Sequence, residues 1–131
     1  MCIRDSIYGY QLLCGYDDPF LSTAANIARE HHERMDGSGY LGLCGEQICL
    51  PARIVSVADV FDALTSPRVY KRTWSFDQAY SYLIERKGTY FDSSVINALE
   101  LARNQFKEKY RIYREQSDLA MISDDSVERG E

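Results

Sequence analysis

With 131 residues, 45% hydrophobic and 27% charged, the chain has the composition of a soluble globular protein with room for one core rather than two full domains. No run of eighteen apolar residues occurs, and the N-terminus lacks the basic-then-apolar order of a secretory signal; nothing in the sequence argues for membrane insertion or export, and a cytoplasmic protein is expected. The net charge of −5 is unevenly placed: the residues after Gln116 carry −4, leaving −1 on residues 1–116, a body that can hold a local basic cluster and a phosphate ligand, although no DNA partner is expected. Cys2, Cys14, Cys44 and Cys49 form no C-x-x-C pair and lack structural-zinc spacing, so they are read as reduced thiols packed as small hydrophobes.

The periodicity is helical along most of the length, and residues 7–34 and 52–116 are expected to be predominantly helical. Ala24, Ile27, Ala28 and His31 recur at i, i+3, i+4 and i+7, so the first histidine extends the apolar stripe of a helix that runs into the His31–His32 pair. Residues 35–50 interrupt the pattern, with Gly37, Gly39, Gly42 and Gly45 crowded into a loop able to expose backbone amides and take positive φ. Ile54, Val57, Ala58 and Phe61 form a second stripe. Ser75 and Gln78 make a capping box for a third helix, carried by Phe76, Ala79, Tyr80 and Leu83 and stopped by Gly88. Val95, Leu99, Ala102, Phe106, Tyr110 and Tyr113 mark one long fourth helix, begun near Asp92 or Ser93. Beyond Gln116 the chain turns polar and loses its period, so residues 117–131 are expected to be an acidic, disordered tail. No period-two strand and no internal repeat appears, and the fold class is all-α, a helical bundle.

Both histidines of the chain stand together. Neighbouring helical residues point about 100° apart, so both cannot lie on the core stripe. Either one packs while the other caps or faces water, or each holds one of two close metal ions; no H-E-x-x-H spacing is present. Asp59 and Asp62 stand three apart and repel unless a cation or donor lies between them. They can be surface acids on a polar face, but Val57, Ala58, Val60, Phe61, Ala63 and Leu64 surround them nearly all round, as in a buried helix, where a carboxylate demands a partner. Arg68, Lys71 and Arg72 follow that helix, where cations suit the helix dipole or clamp a phosphate, Arg68 as a planar fork and Lys71 as a point charge. Histidines, aspartates and bases of this kind describe metal-assisted phosphoester chemistry, in which metals polarise the phosphoryl oxygen and activate water.

The stretch HHERMDGSGYLGLCGEQICLPARIVSVADVFDALTSPRVYKRTWS resembles the C-terminal half of the HD-GYP domain, a bacterial signalling domain of the HD phosphohydrolase superfamily that hydrolyses cyclic di-GMP. The resemblance runs from about Tyr8 to Phe91 and includes KGTYFDSSV at 87–95. It implies an all-helical fold holding two or three iron or manganese ions, with His31, His32 and Asp59 as metal ligands. It makes Arg68 and Lys71 the bases that hold the dinucleotide's phosphates or guanines, with Asp62 close by, and matches Gly39 and Tyr40 to the first two letters of GYP. The implied function is hydrolysis of cyclic di-GMP, or a related cyclic dinucleotide, to pGpG or GMP in the intact domain, with a signalling-protein partner reached through the GYL loop. Two alternatives stay open: a non-catalytic module that binds nucleotide or protein, and an HD-type phosphohydrolase of another nucleotide.

Two departures qualify the resemblance. Leu41 stands where the family has proline, which removes a fixed φ from the loop. No His-Asp pair followed by a lysine occurs, so the N-terminal helices of the domain are expected to be missing, this fragment to hold metal poorly and no residue of it to be assigned as catalytic. MCIRDS back-translates to the transposon end attached to DNA in sequencing libraries. Residues 1–6 are therefore expected to be a sequencing-adaptor artefact, with residues 7–116 the HD-GYP part and Asp5 and Ser6 standing where the family has a metal-ligating histidine and a proline.

Overall fold

The computed structural model describes residues 3–127, of which 121–127 by backbone alone. Six α-helices and one turn of 3₁₀ helix (Gly45–Gln47) follow in order: α1 Ile3–Leu13, α2 Pro19–Glu30, α3 Leu50–Thr65, α4 Phe76–Glu85, α5 Ser93–Leu101 and α6 Arg103–Val127. No strand occurs among the described residues; the backbone pairings outside helices are isolated bridges at Asp36–Cys44, Arg68–Lys71 and Lys87–Phe91. The fold is all-α. The chain divides into two compact units, the first ending at Asn97 and the second beginning at Ala98.

In the first unit α1 packs on α2, α2 on α3 and α3 on α4. Its core is Ala25, Ile48, Ala52, Val57, Phe61, Leu64, Phe76, Ala79, Leu83, Phe91 and Ile96. The helix ends follow local chemistry. Asp18 accepts the Leu21 amide at 2.9 Å ahead of Pro19, a start signal worth about 1 kcal/mol. The Ser75–Gln78 capping box is present in both directions. Gly88, at φ +81°, follows the end of α4 and donates its amide to Phe91 O at 2.7 Å.

The stripe on α3 is displaced from the expected one. Ala52, Ser56, Val57, Phe61, Leu64 and Thr65 are buried, whereas Ile54 is 51% exposed and Ala58 is also exposed, so α3 is not enclosed all round. The thiols of Cys14, Cys44 and Cys49 are free as expected, but Cys44 is exposed rather than packed. Cys2 lies outside the described residues.

The expected single fourth helix is two, parted at Ala102, whose amide still donates to Ala98 O at 3.1 Å. The acidic tail differs more: α6 continues through residues 117–127, where loss of helix was expected. No glycine or proline lies between Gln116 and Val127. Extending an existing helix costs far less than nucleating one, and Arg111, bonded to Glu108 and Glu115 on one face, supports the preceding turns.

Candidate metal centre

His31 caps the C-terminus of α2 in αR conformation and donates its amide to Ile27 O at 3.0 Å. Its ring Nδ1 lies 2.7 Å from the same carbonyl. A carbonyl only accepts, so Nδ1 is the donor there and Nε2 is the nitrogen turned away from it, the orientation typical of a metal-ligating histidine. The His32 ring sits 3.9 Å from that of His31, centroid to centroid. Burial and the neighbouring His31 push the His32 pKa down, against an opposing pull from Asp59, which favours the neutral, ligating form of that imidazole. From α3, half-buried Asp59 meets the pair: one donor atom from each of His31, His32 and Asp59 lies within 4.8 Å of the other two. Two imidazole nitrogens and a carboxylate oxygen suit a first-row divalent metal, so the donor set fits such an ion.

The loop after the histidines is held by a residue that sequence reading did not single out. Glu33, 3% exposed, accepts the Leu41 amide on Oε1 at 2.7 Å and the Leu43 amide on Oε2 at 2.9 Å, folding the loop back over the end of α2. The fold-back brings Gly39 so near that a Cβ there would stand 2.6 Å from Glu33 Cα and 3.0 Å from both Arg34 N and His32 O. Tyr40 places its ring edge-on to His32 at 5.5 Å. Leu41 thus gives up the φ restraint of the family's proline but supplies an N–H that proline lacks, and Glu33 uses it.

Two further buried acids join the elements. Glu30 Oε2 accepts the Cys49 amide at 2.8 Å, tying the start of α3 to the end of α2, and its Oε1 pairs with Arg29 at 2.6 Å. Burial raises the Glu30 pKa, but these hydrogen bonds outweigh it and hold the carboxyl below its ordinary value. Asp92 caps α5 through the Ser94 and Val95 amides and the Ser94 hydroxyl, and pairs with Arg53 of α3 at 2.7 Å. The Ser94 bond and then Arg53 lower its pKa to about 2 against the penalty of burial. The signal for Asp92 was present in sequence as Asp-Ser-Ser before an apolar period.

A cleft of about 220 Å³ opens beside the histidines, and His31, His32, Gly39 and Tyr40 line it together with Arg34, Tyr82 and Tyr90. The other expected site residues stand elsewhere. Asp62 is exposed and accepts the Ser66 hydroxyl at 2.9 Å across the end of α3. Arg68 and Lys71 are exposed on a turn closed by the Lys71 amide to Arg68 O at 3.2 Å, and neither lines the cleft. That turn leaves α3 at Ser66 and returns where Trp74 donates its amide to Leu64 O at 2.9 Å, carrying Val69 and Tyr70 out into solvent.

The profile of the HD domain matches residues 7–95. The chain belongs to the HD domain family. Among curated relatives, the cyclic di-GMP phosphodiesterase response regulator RpfG of Xanthomonas campestris is 52% identical over 101 residues, which cover 76% of this chain and 27% of that protein. A probable cyclic di-GMP phosphodiesterase of Vibrio cholerae is 42% identical over 95 residues, 72% of this chain and 22% of the relative. The 3′3′-cGAMP-specific phosphodiesterase 2 of Vibrio cholerae is 39% identical over 93 residues, 70% of this chain and 18% of the relative. This HD domain chain therefore spans about a fifth to a quarter of the length of these relatives. The crystal structure of a cyclic GMP-AMP specific phosphodiesterase of Vibrio cholerae superposes with a TM-score of 0.56 at 23% identity, covering 74% of this chain and 21% of the other, and shows the shared all-helical fold. The HD domain is a metal-dependent phosphohydrolase fold, and His31, His32 and Asp59 make a candidate metal site within it. No helix of the described residues is long and apolar enough to cross a membrane.

Proposed function

We propose that this chain carries part of the metal centre and nucleotide cleft of a cytoplasmic cyclic di-GMP phosphodiesterase of bacterial second-messenger signalling. The observation that carries the reading is the convergence of the His31, His32 and Asp59 donor atoms within 4.8 Å, in an HD domain 52% identical to a cyclic di-GMP phosphodiesterase. His31, His32 and Asp59 would hold iron or manganese, two or three ions in the intact domain, and a bound ion supplies Lewis-acid polarisation of a phosphoryl oxygen. Ile27 O accepts from His31 Nδ1 and leaves Nε2 turned away to ligate. Gly39 and Tyr40 shape the mouth over His32, and the GYL loop is the surface offered to a signalling-protein partner. Arg68, Lys71 and Asp62, exposed at the end of α3, are assigned to the outer phosphates or guanines of the dinucleotide.

Three donors leave most of a first shell to groups outside this set, so the chain alone is expected to hold metal weakly and to show no turnover. Relatives specific for 3′3′-cGAMP, 38% to 41% identical, favour a second reading in which the substrate is a mixed cyclic dinucleotide. The test is metal content by elemental analysis after gel filtration, with cyclic di-GMP and 3′3′-cGAMP loss followed by chromatography in the chain and in a longer protein containing it. Faster loss of cyclic di-GMP by the longer protein supports the first reading, and faster loss of 3′3′-cGAMP supports the second. Manganese binding that survives replacement of all three donors by alanine would refute the centre.

A further inference from the structure

The arginines of the first unit differ in how their charge is met. Arg29 pairs with Glu30 at 2.6 Å, Arg53 with Asp92 at 2.7 Å and Arg86 with Glu85 at 3.7 Å. Arg34 is half-buried in the wall of the histidine cleft and forms no ion pair among the described residues; its hydrogen bond to the Ser38 hydroxyl is long, at 3.5 Å. Its guanidinium centre lies 3.9 Å from the centroid of the Tyr90 ring. Backbone pairing fixes the stack: Met35 donates to Tyr90 O at 3.2 Å, Asp36 to Thr89 O at 2.9 Å and Gly37 to Arg34 O at 2.9 Å. A guanidinium held over a ring leaves its N–H donors available to an oxyanion such as a phosphate. Another such cation, Arg86 over Tyr82 at 3.5 Å, already donates to the Tyr82 carbonyl at 3.3 Å.

We propose that Arg34, held over the Tyr90 ring, is the phosphate-binding residue of the cleft and takes an oxygen of the phosphodiester that meets the His31–His32–Asp59 donors. The proposal rests on the nucleotide reading of the cleft and deepens it. It gives the inner phosphate contact to a residue that lines the same cavity as both histidines and leaves the exposed Arg68–Lys71 turn to the outer groups. A charge-assisted bond from a half-buried guanidinium both neutralises the anion and gives the cation a close ionic partner.

The full chain is titrated with inorganic phosphate and with cyclic di-GMP, with and without manganese, following the Nε–H resonance of Arg34 and the fitted Kd. Arg34→Ala is expected to weaken both anions roughly ten- to hundredfold, Arg34→Lys to recover part of the loss, and Tyr90→Leu to weaken binding less than Arg34→Ala. Manganese affinity stays unchanged in all three, because Arg34 is not a donor. Should Arg34→Ala lose helicity, Arg34→Gln gives the same comparison in a folded chain. Equal anion Kd values for the wild type and these folded variants, or no anion binding by the wild type, overturn the proposal. Arg34-dependent anion binding without manganese binding sustains it while removing the metal reading; manganese binding with Arg34-independent anion binding does the reverse.

Discussion

Replacing Glu33 by alanine tests whether one buried side chain holds the loop over the histidines. The carboxylate receives two amides, at 2.7 Å from Leu41 and 2.9 Å from Leu43. Hydrogen bonds to a charged group contribute about 1.5–3 kcal/mol each, so both together amount to roughly 3–6 kcal/mol. Leu41 is exposed and Leu43 half-buried, so the released amides recover part of this from water, and a net loss of about 2–4 kcal/mol is expected. At roughly 4 °C per kcal/mol for a chain of this size, Tm should fall by about 8–16 °C. Glu33→Gln, which keeps one acceptor oxygen, should lose about half as much, and Leu41→Pro, which deletes one of the two donors, should fall in the same range. Thermal unfolding by circular dichroism gives the shift, and amide hydrogen exchange locates it: Leu41 and Leu43 should lose protection while the α3 amides keep theirs. An alanine variant that melts with the wild type and leaves the Leu41 and Leu43 amides protected would show that the loop is held by something else.

Asp59→Ala in the longer protein should abolish both metal retention and cyclic dinucleotide hydrolysis, whereas Arg68→Ala should weaken nucleotide binding only; the opposite pattern in metal analysis would reverse these roles. Asp92 has its pKa lowered from 3.8 to about 2, so its contribution is complete above the ordinary value and is lost as pH falls through about 2. The shift corresponds to roughly 2 kcal/mol, and Asp92→Asn should therefore flatten the stability profile between these pH values in urea titrations, a result contradicted if the wild type and variant profiles run parallel there. Residues 1–6 are proposed to be foreign to the gene. A genomic read should show an open frame upstream of Ile7 with histidine and proline at the positions of Asp5 and Ser6, and a start codon encoding MCIRDS in the genome would refute this.

Periodicity made α2, α3 and α4 legible as helices, with the packed face of α3 displaced, and ran α5 and α6 together as one, while the Ser75–Gln78 box is a purely local device that reads the same in sequence and in space. The grouping of His31, His32 and Asp59 came from the family resemblance, since the residues alone left open a packed or capping histidine and surface aspartates. Glu33 and Arg34 were passed over although they directly follow the histidines. Their roles depend on amides at 41 and 43 and on a ring at 90, partners that only the fold-back and the packing of the α4–α5 connection supply. Arg68 and Lys71 show the converse, since a basic cluster can be read from sequence but the direction of the turn that carries it cannot. Leu41 was read as a loss of restraint because side-chain identity is visible in sequence and a recruited backbone N–H is not.

At Gly39 the obstacle to a side chain begins at the first carbon. The nearest atoms to a Cβ there are all main-chain atoms of residues 32, 33 and 34, with Glu33 Cα at 2.6 Å. No rotamer can swing away from such a contact, so alanine should disturb the loop much as tryptophan does, and the usual grading of substitutions by size should collapse to a single step. Its flanking positions are free of this limit: Ser38, Tyr40 and Leu41 are exposed. Variation in what the mouth of the cleft recognises therefore has three side chains to work with and one fixed point to turn about, and a library built on this loop should keep residue 39 constant while altering the reach and polarity of its neighbours.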